Sequence, residues 1–129
     1  MNDKRVVRTE AAPAPFQGAP YSQAIAAGGF VFVAGQVGLR PGESKVVGDT
    51  IEEQTEQVLA NLRAILEAAG SGLDRLVKTT VFLTDLGDFA GMNSVYSRHV
   101  GDAPPARSTV EVAALPQGMK VEIEAIALA

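Results

Sequence analysis

Arg107 stands between a diproline and a strand-like run, in Pro104-Pro105-Ala106-Arg107-Ser108-Thr109-Val110-Glu111-Val112. Its planar guanidinium makes two parallel hydrogen bonds to a carboxylate and stays charged at any physiological pH, and the prolines restrict the turn that carries it. This suits the fixed grip of a small acid. The competing use of such an arginine is an ion pair with an acidic side chain of the same chain. Glu122 and Glu124 are the second chemical feature. They alternate with Val121, Ile123 and Ala125 in the last apolar run and so share the other strand face with Ile126. A carboxylate on a face that is otherwise a candidate for burial needs a partner or a task.

What the chain lacks narrows the chemistry. It has no cysteine, hence no disulfide, thiolate nucleophile or zinc ribbon, which fits a reducing, cytoplasmic setting. His99 is the single histidine, so a metal site would consist almost wholly of carboxylates and a serine triad would depend on this one ring. We expect neither metal nor cofactor. A net charge of -4 offers no field for a phosphate backbone, so no nucleic-acid partner is expected. No run approaches the roughly 20 apolar residues of a membrane span, and Met1 to Arg8 lacks the apolar core of a secretory signal.

The 129 residues allow one domain, 1–129, with residues 1–15 as an extended N-terminal arm. Prolines at 13, 15 and 20 keep Thr9–Pro20 from forming a helix, and Val6-Val7 can add a short edge strand. Ala24–Ala27 and Phe30–Val37, split by Gly28-Gly29, form the pattern of a hairpin. Lys45–Val47 is a stub of strand. Asp49 or Thr50 caps a helix that presents Ile51, Val58, Leu62, Ile65, Leu66 and Ala69 on one face and stops at Gly70. A strand lies within Leu73–Leu83, and Asp85 and Asp88 are candidate caps of a second helix running to about Val100. Arg107–Val112 and Met119–Leu128 complete the strands. The order implies an α+β fold, a mixed sheet with both helices on one face, the opposite face covered by another copy of the chain.

Five motifs, in order, resemble one family: Pro20-Tyr21-Ser22-Gln23-Ala24, Val33-Ala34-Gly35-Gln36, Val77-Lys78-Thr79-Thr80-Val81-Phe82-Leu83, Pro105 to Val112, and Val121 to Ala127. Together they are similar to the Rid, or YjgF, family of reactive-intermediate deaminases, over nearly all of Thr9–Leu128. The resemblance implies a chorismate-mutase-like fold, a homotrimer packed through its sheets, and three clefts between subunits. It also implies hydrolysis of 2-imino acids or their enamine tautomers to 2-oxo acids and ammonia, without a cofactor.

Carried over by position, Arg107 corresponds to the carboxylate-binding arginine and Glu122 to the glutamate that readies the attacking water. Tyr21 corresponds to a pocket wall, Gly35 to a backbone contact with substrate, and Asn93 to a polar contact from the second helix. Ala34 stands where many members have serine and Thr109 where many have cysteine, so both are substrate-contact positions with altered chemistry. Other uses remain open: Glu122 neutralises Arg107 or Lys120, or Glu124 is the active carboxylate. His99 is read as a surface or helix-end residue and Lys78 as a solvated strand residue. A larger catabolic imine is an alternative substrate, and a non-catalytic trimeric ligand-binding or chaperone-like protein is the alternative from another class.

Overall fold

Strand β2 (Ala24–Ala27) turns into β3 (Phe30–Val37) through Gly28 and Gly29, whose φ angles of 60° and 85° supply the left-handed pair that a two-residue hairpin turn requires. A computed structural model describes residues 3–129; the first two residues of the expected arm lie outside it. The other elements are β1 (Arg5–Val7), α1 (Ile51–Ala68), β4 (Leu76–Leu83), α2 (Phe89–Tyr96), β5 (Ala106–Glu111) and β6 (Val121–Leu128). They build one mixed sheet in the order β1-β2-β3-β6-β4-β5, in which only β4 and β5 pair in parallel.

The core lies between one face of this sheet and the two helices. Val31, Val33, Val81, Leu83, Ile123 and Ala127 meet Val58, Leu62, Ile65 and Leu66 there, in the alternation expected for half-buried strands. Each fully buried aliphatic side chain contributes about 1.5–3 kcal/mol relative to exposure. The helix cap, left open between two residues by the sequence, is Thr50. Its hydroxyl accepts from the Glu53 amide at 3.1 Å while the Glu53 carboxylate accepts from the Thr50 amide at 3.3 Å.

Three expectations change. The second helix ends at Tyr96 rather than near Val100, because the chain tightens: the amides of Arg98 and His99 bond three residues back, to Val95 and Tyr96, before the turn at Gly101. Its entry is a short 3-10 turn, Leu86–Asp88, in which Asp85 accepts from the Gly87 amide at 2.8 Å and Asp88 makes no cap bond. The strand stub shrinks to a single bridge between Leu39 and Val46.

Polar residues buried on α1 hold the loops around the sheet. Asn61 Nδ2 donates to the carbonyls of Val37 and Leu39, and Gln54 joins the Gly48 carbonyl to the Lys120 amide. These bonds satisfy loop backbone that a purely apolar helix face would leave unpaired. Among the described residues, no helix is long and apolar enough to cross a membrane.

Candidate active site

Arg107 lies on β5 opposite Thr79 of β4, on the face that carries the helices. Its Nη1 donates to Asn93 Oδ1 at 2.7 Å, and its guanidinium carbon lies 4.9 Å from the ring centre of Tyr96 and 5.5 Å from that of Phe89. Tyr96 is itself fixed, because its buried hydroxyl shares a 2.6 Å hydrogen bond with Thr79 Oγ1. Aromatic faces stabilise the cation without consuming its N–H donors. No carboxylate pairs with Arg107 among the described residues. The intrachain ion pair weighed above is therefore not its role, and most of the guanidinium fork remains available to a ligand. Arg107, Asn93, Tyr96, Pro104 and Pro105 border an open hollow of about 370 Å³.

Phe89, Asn93 and Tyr96 were legible as a set only in part. Their i, i+4, i+7 spacing puts them on one helix face, yet only Asn93 was singled out. Thr109, two residues beyond Arg107, lines neither this hollow nor the next, and its enclosed Oγ1 has no hydrogen-bond partner.

A second hollow, of about 400 Å³, gathers Tyr21, Ala34, Gly35 and Glu122 with Phe16, Ala19, Val37 and Pro116. A bulge creates it. The β3–β6 register jumps from Val33 opposite Ala125 to Gln36 opposite Ile123, so Ala34 and Gly35 together span one residue of β6. A Cβ built on Gly35 would sit 2.8 Å from Glu122 Cδ and 3.0 Å from its Cγ. Glycine at 35 is thus the condition for the Glu122 side chain to lie where it does. The Tyr21 hydroxyl accepts from the Phe16 amide at 2.6 Å, leaving its own proton to donate. Glu122 is half-buried and has no hydrogen-bond or ion-pair partner among the described residues. Burial, and secondarily the charge of Glu124, raises its pKa above the ordinary carboxylate value. Glu124 itself is exposed and borders a different, wider hollow with Lys78 and Thr80 on the open sheet face.

The two hollows are separate within one chain. Arg107 projects from the helix face of β5 and Glu122 from the open face of β6, with β4 between the two strands. Their register positions, Thr79 and Phe82, place the two backbones on the order of 14 Å apart. His99 belongs to neither: its Nε2 meets Glu56 Oε1 at 2.5 Å, tying the end of α2 to α1. No group of three histidine or acidic side chains among the described residues gathers to hold a metal ion.

Residues 9–129 match the family described as Endoribonuclease L-PSP. The chain belongs to the Rid/YjgF family. A RutC family protein of Pyrococcus horikoshii is 52% identical over 96% of this chain and 97% of its own. The mouse 2-iminobutanoate/2-iminopropanoate deaminase is 43% identical over 97% of this chain and 91% of its own. The crystal structure of RidA from an Antarctic Psychrobacter shares the fold at a TM-score of 0.91 and 42% identity, covering 97% of this chain and 99% of that one. The shared Rid/YjgF fold thus extends over nearly the whole of this chain.

Proposed function

We propose that this protein hydrolyses 2-imino acids, or their enamine tautomers, to 2-oxo acids and ammonia, in clefts that neighbouring copies of the chain build together in a homotrimer. The observation that carries the reading is a pair of oppositely charged groups, neither of which has a counterion among the described residues. Arg107 is cradled by neutral residues and Glu122 is half-buried without a partner, each at the edge of a hollow. Leaving both groups unpaired is costly unless a ligand or another chain supplies the complement.

Assembly supplies it. The open sheet face exposes Phe30, Phe32, Val77, Val110 and Leu128, an apolar surface of the kind that packs against a second copy. A cyclic head-to-tail arrangement joins different surfaces of successive subunits. It can therefore set the Arg107 hollow of one chain against the Glu122 hollow of the next.

The reaction asks little of the protein. A protonated imine, R–C(=NH₂⁺)–COO⁻, is already electrophilic at C2. Arg107 holds the carboxylate and Asn93 aims the guanidinium, so that C2 is fixed beside a water. Glu122 takes a proton from that water as its oxygen adds to C2, and a raised pKa brings its basicity closer to neutral pH. The proton is returned to nitrogen, the C–N bond breaks to expel NH₃ as the new hydroxyl becomes the carbonyl and gives up its proton, and that proton goes to the ammonia, so the products are R–CO–COO⁻ and NH₄⁺. Tyr21 and the Gly35 backbone border the space for the reacting carbon and nitrogen. Ala34 borders the Glu122 hollow without adding a catalytic group. The deciding experiment measures ammonia released from 2-iminopropanoate by the intact protein and by Arg107→Ala. We expect the variant to lose the activity, and equal rates would overturn the reading.

A further inference from the structure

We propose that Gln23 is a positioning residue of the Glu122 hollow: by clamping the N-terminal arm it fixes the Tyr21 hydroxyl relative to the Ala34–Gly35 bulge. The inference rests on the proposed imine hydrolysis and adds to it a residue that lines neither hollow of the site. Gln23 lies in the Pro20–Ala24 motif and is buried, with 3% of its surface exposed. A buried primary amide must find partners for its donors and for its carbonyl. Here all of them lie in the arm. Gln23 Oε1 accepts from the Thr9 amide at 2.8 Å, and Nε2 donates to the carbonyls of Pro13 at 2.8 Å, Thr9 at 3.0 Å and Ala12 at 3.2 Å. Among the described residues, no other hydrogen bond ties Thr9–Pro13 to the rest of the chain.

Stiffness carries the clamp forward. Pro13 and Pro15 fix their own φ, and Ala12 and Ala14 are restricted by the prolines that follow them. Holding the Pro13 carbonyl therefore places Phe16. The Phe16 amide in turn donates to Tyr21 Oη at 2.6 Å. The Tyr21 side chain is exposed within the chain, so this bond, rather than packing, sets its hydroxyl and leaves the phenolic proton to donate into the hollow.

The main chain of Gln23 completes the link, because its carbonyl accepts from the Ala34 amide at 2.9 Å. One residue thus holds the arm with its side chain and the bulge with its backbone, and through them the Tyr21 hydroxyl and the Glu122 carboxylate that border the hollow. Other residues of similar length fail at this task. Glutamate would turn a carboxylate on three carbonyls, and methionine would leave the Thr9 amide without a partner.

The test is a double-mutant cycle of Gln23→Met and Tyr21→Phe in the full-length protein, reading ammonia released from 2-iminopropanoate and amide hydrogen exchange at Phe16. Each single variant should lower kcat about tenfold, an ordinary size for linked residues, with KM within about twofold because Arg107 is untouched. Gln23→Met should also speed exchange at Phe16. In the Tyr21→Phe background Gln23→Met should cost less than about twofold, since its route to the reaction is already cut. A residue that only stabilises the fold would cost as much in either background. Equal losses, an unchanged kcat in either single variant, or an unchanged exchange rate at Phe16 overturns the role. Should Gln23→Met fail to fold, Gln23→Glu, which keeps the acceptor for the Thr9 amide, takes its place in the cycle with the same expectations. A wild-type protein that releases no ammonia overturns the deaminase reading, and this role falls with it; wild-type activity that the Gln23 variants keep in full overturns this role alone.

Discussion

Arg107 and Glu122 lie on opposite faces of one sheet, on strands separated by β4. A three- or four-carbon acid cannot reach from one to the other through that sheet, so a single chain holds two half-sites. If both serve one reaction, they must come from different chains.

Complementation tests this directly. Arg107→Ala and Glu122→Gln should each be inactive alone. After unfolding together and reassembly, equal amounts should recover about a quarter of wild-type activity, the share of clefts that draw an intact arginine from one variant and an intact glutamate from the other. No recovery from variants that reassemble with the native subunit number would mean that each site is built within one chain.

The cradle of Arg107 should act mainly on binding. Asn93→Ala removes a charge-assisted hydrogen bond worth roughly 1.5–3 kcal/mol. The anchored carboxylate is gripped alike before and during reaction, so KM should rise about tenfold or more while kcat changes little. Tyr96→Phe keeps the ring against the guanidinium but breaks the bond to Thr79, and a smaller KM increase is expected. Steady-state kinetics of both variants, with kcat falling instead of KM rising, would move Arg107 out of the anchoring role.

At Gly35 the expected effect is on turnover. Its backbone does not occupy the left-handed region, so alanine is conformationally acceptable there, but its methyl would overlap the Glu122 carboxylate. Gly35→Ala should displace that carboxylate and lower kcat on the order of a hundredfold with little change in melting temperature. Activity within a few fold of wild type would show that the position of Glu122 is unimportant.

The elements of the fold were largely legible because each carries its own local signal. The Gly28-Gly29 hairpin, the apolar stripe of α1 and the alternation of β6 match the structure within a residue or two. The end of α2 was missed because no proline or glycine falls between Tyr96 and Gly101; hydrogen bonding three residues back ends it without a compositional mark. The site was legible as residues but not as geometry. Nothing in the spacing of Arg107 and Glu122 reveals that they emerge from opposite faces, since that depends on the insertion of β6 between β3 and β4. The bulge at Ala34-Gly35 likewise depends on pairing with a strand some ninety residues away in sequence, on the order of the whole sheet's connectivity rather than on local propensity. Phe89 and Tyr96 carry no sequence signal of their own for a site, and only the placement of β5 beside them brings the Arg107 cation over their rings.

Acid sensitivity should expose the coupling between the two glutamates of β6. Glu122 can accept a proton from water only when ionised, so the rate rises with pH through its pKa and falls on the acid side of it. Burial is the larger cause of its upward shift and the charge of Glu124 the smaller. Glu124→Gln removes only the second cause. The acid limb of kcat/KM should then move to lower pH while staying above the ordinary carboxylate range, because desolvation persists. The same variant keeps Arg107 and Glu122 and should keep its turnover on the plateau above that limb. A pH–rate profile measured across the carboxylate range for both proteins decides the matter. An acid limb unmoved by Glu124→Gln would show that the group controlling the rate does not sense Glu124, and Glu122 would lose its claim to be the base.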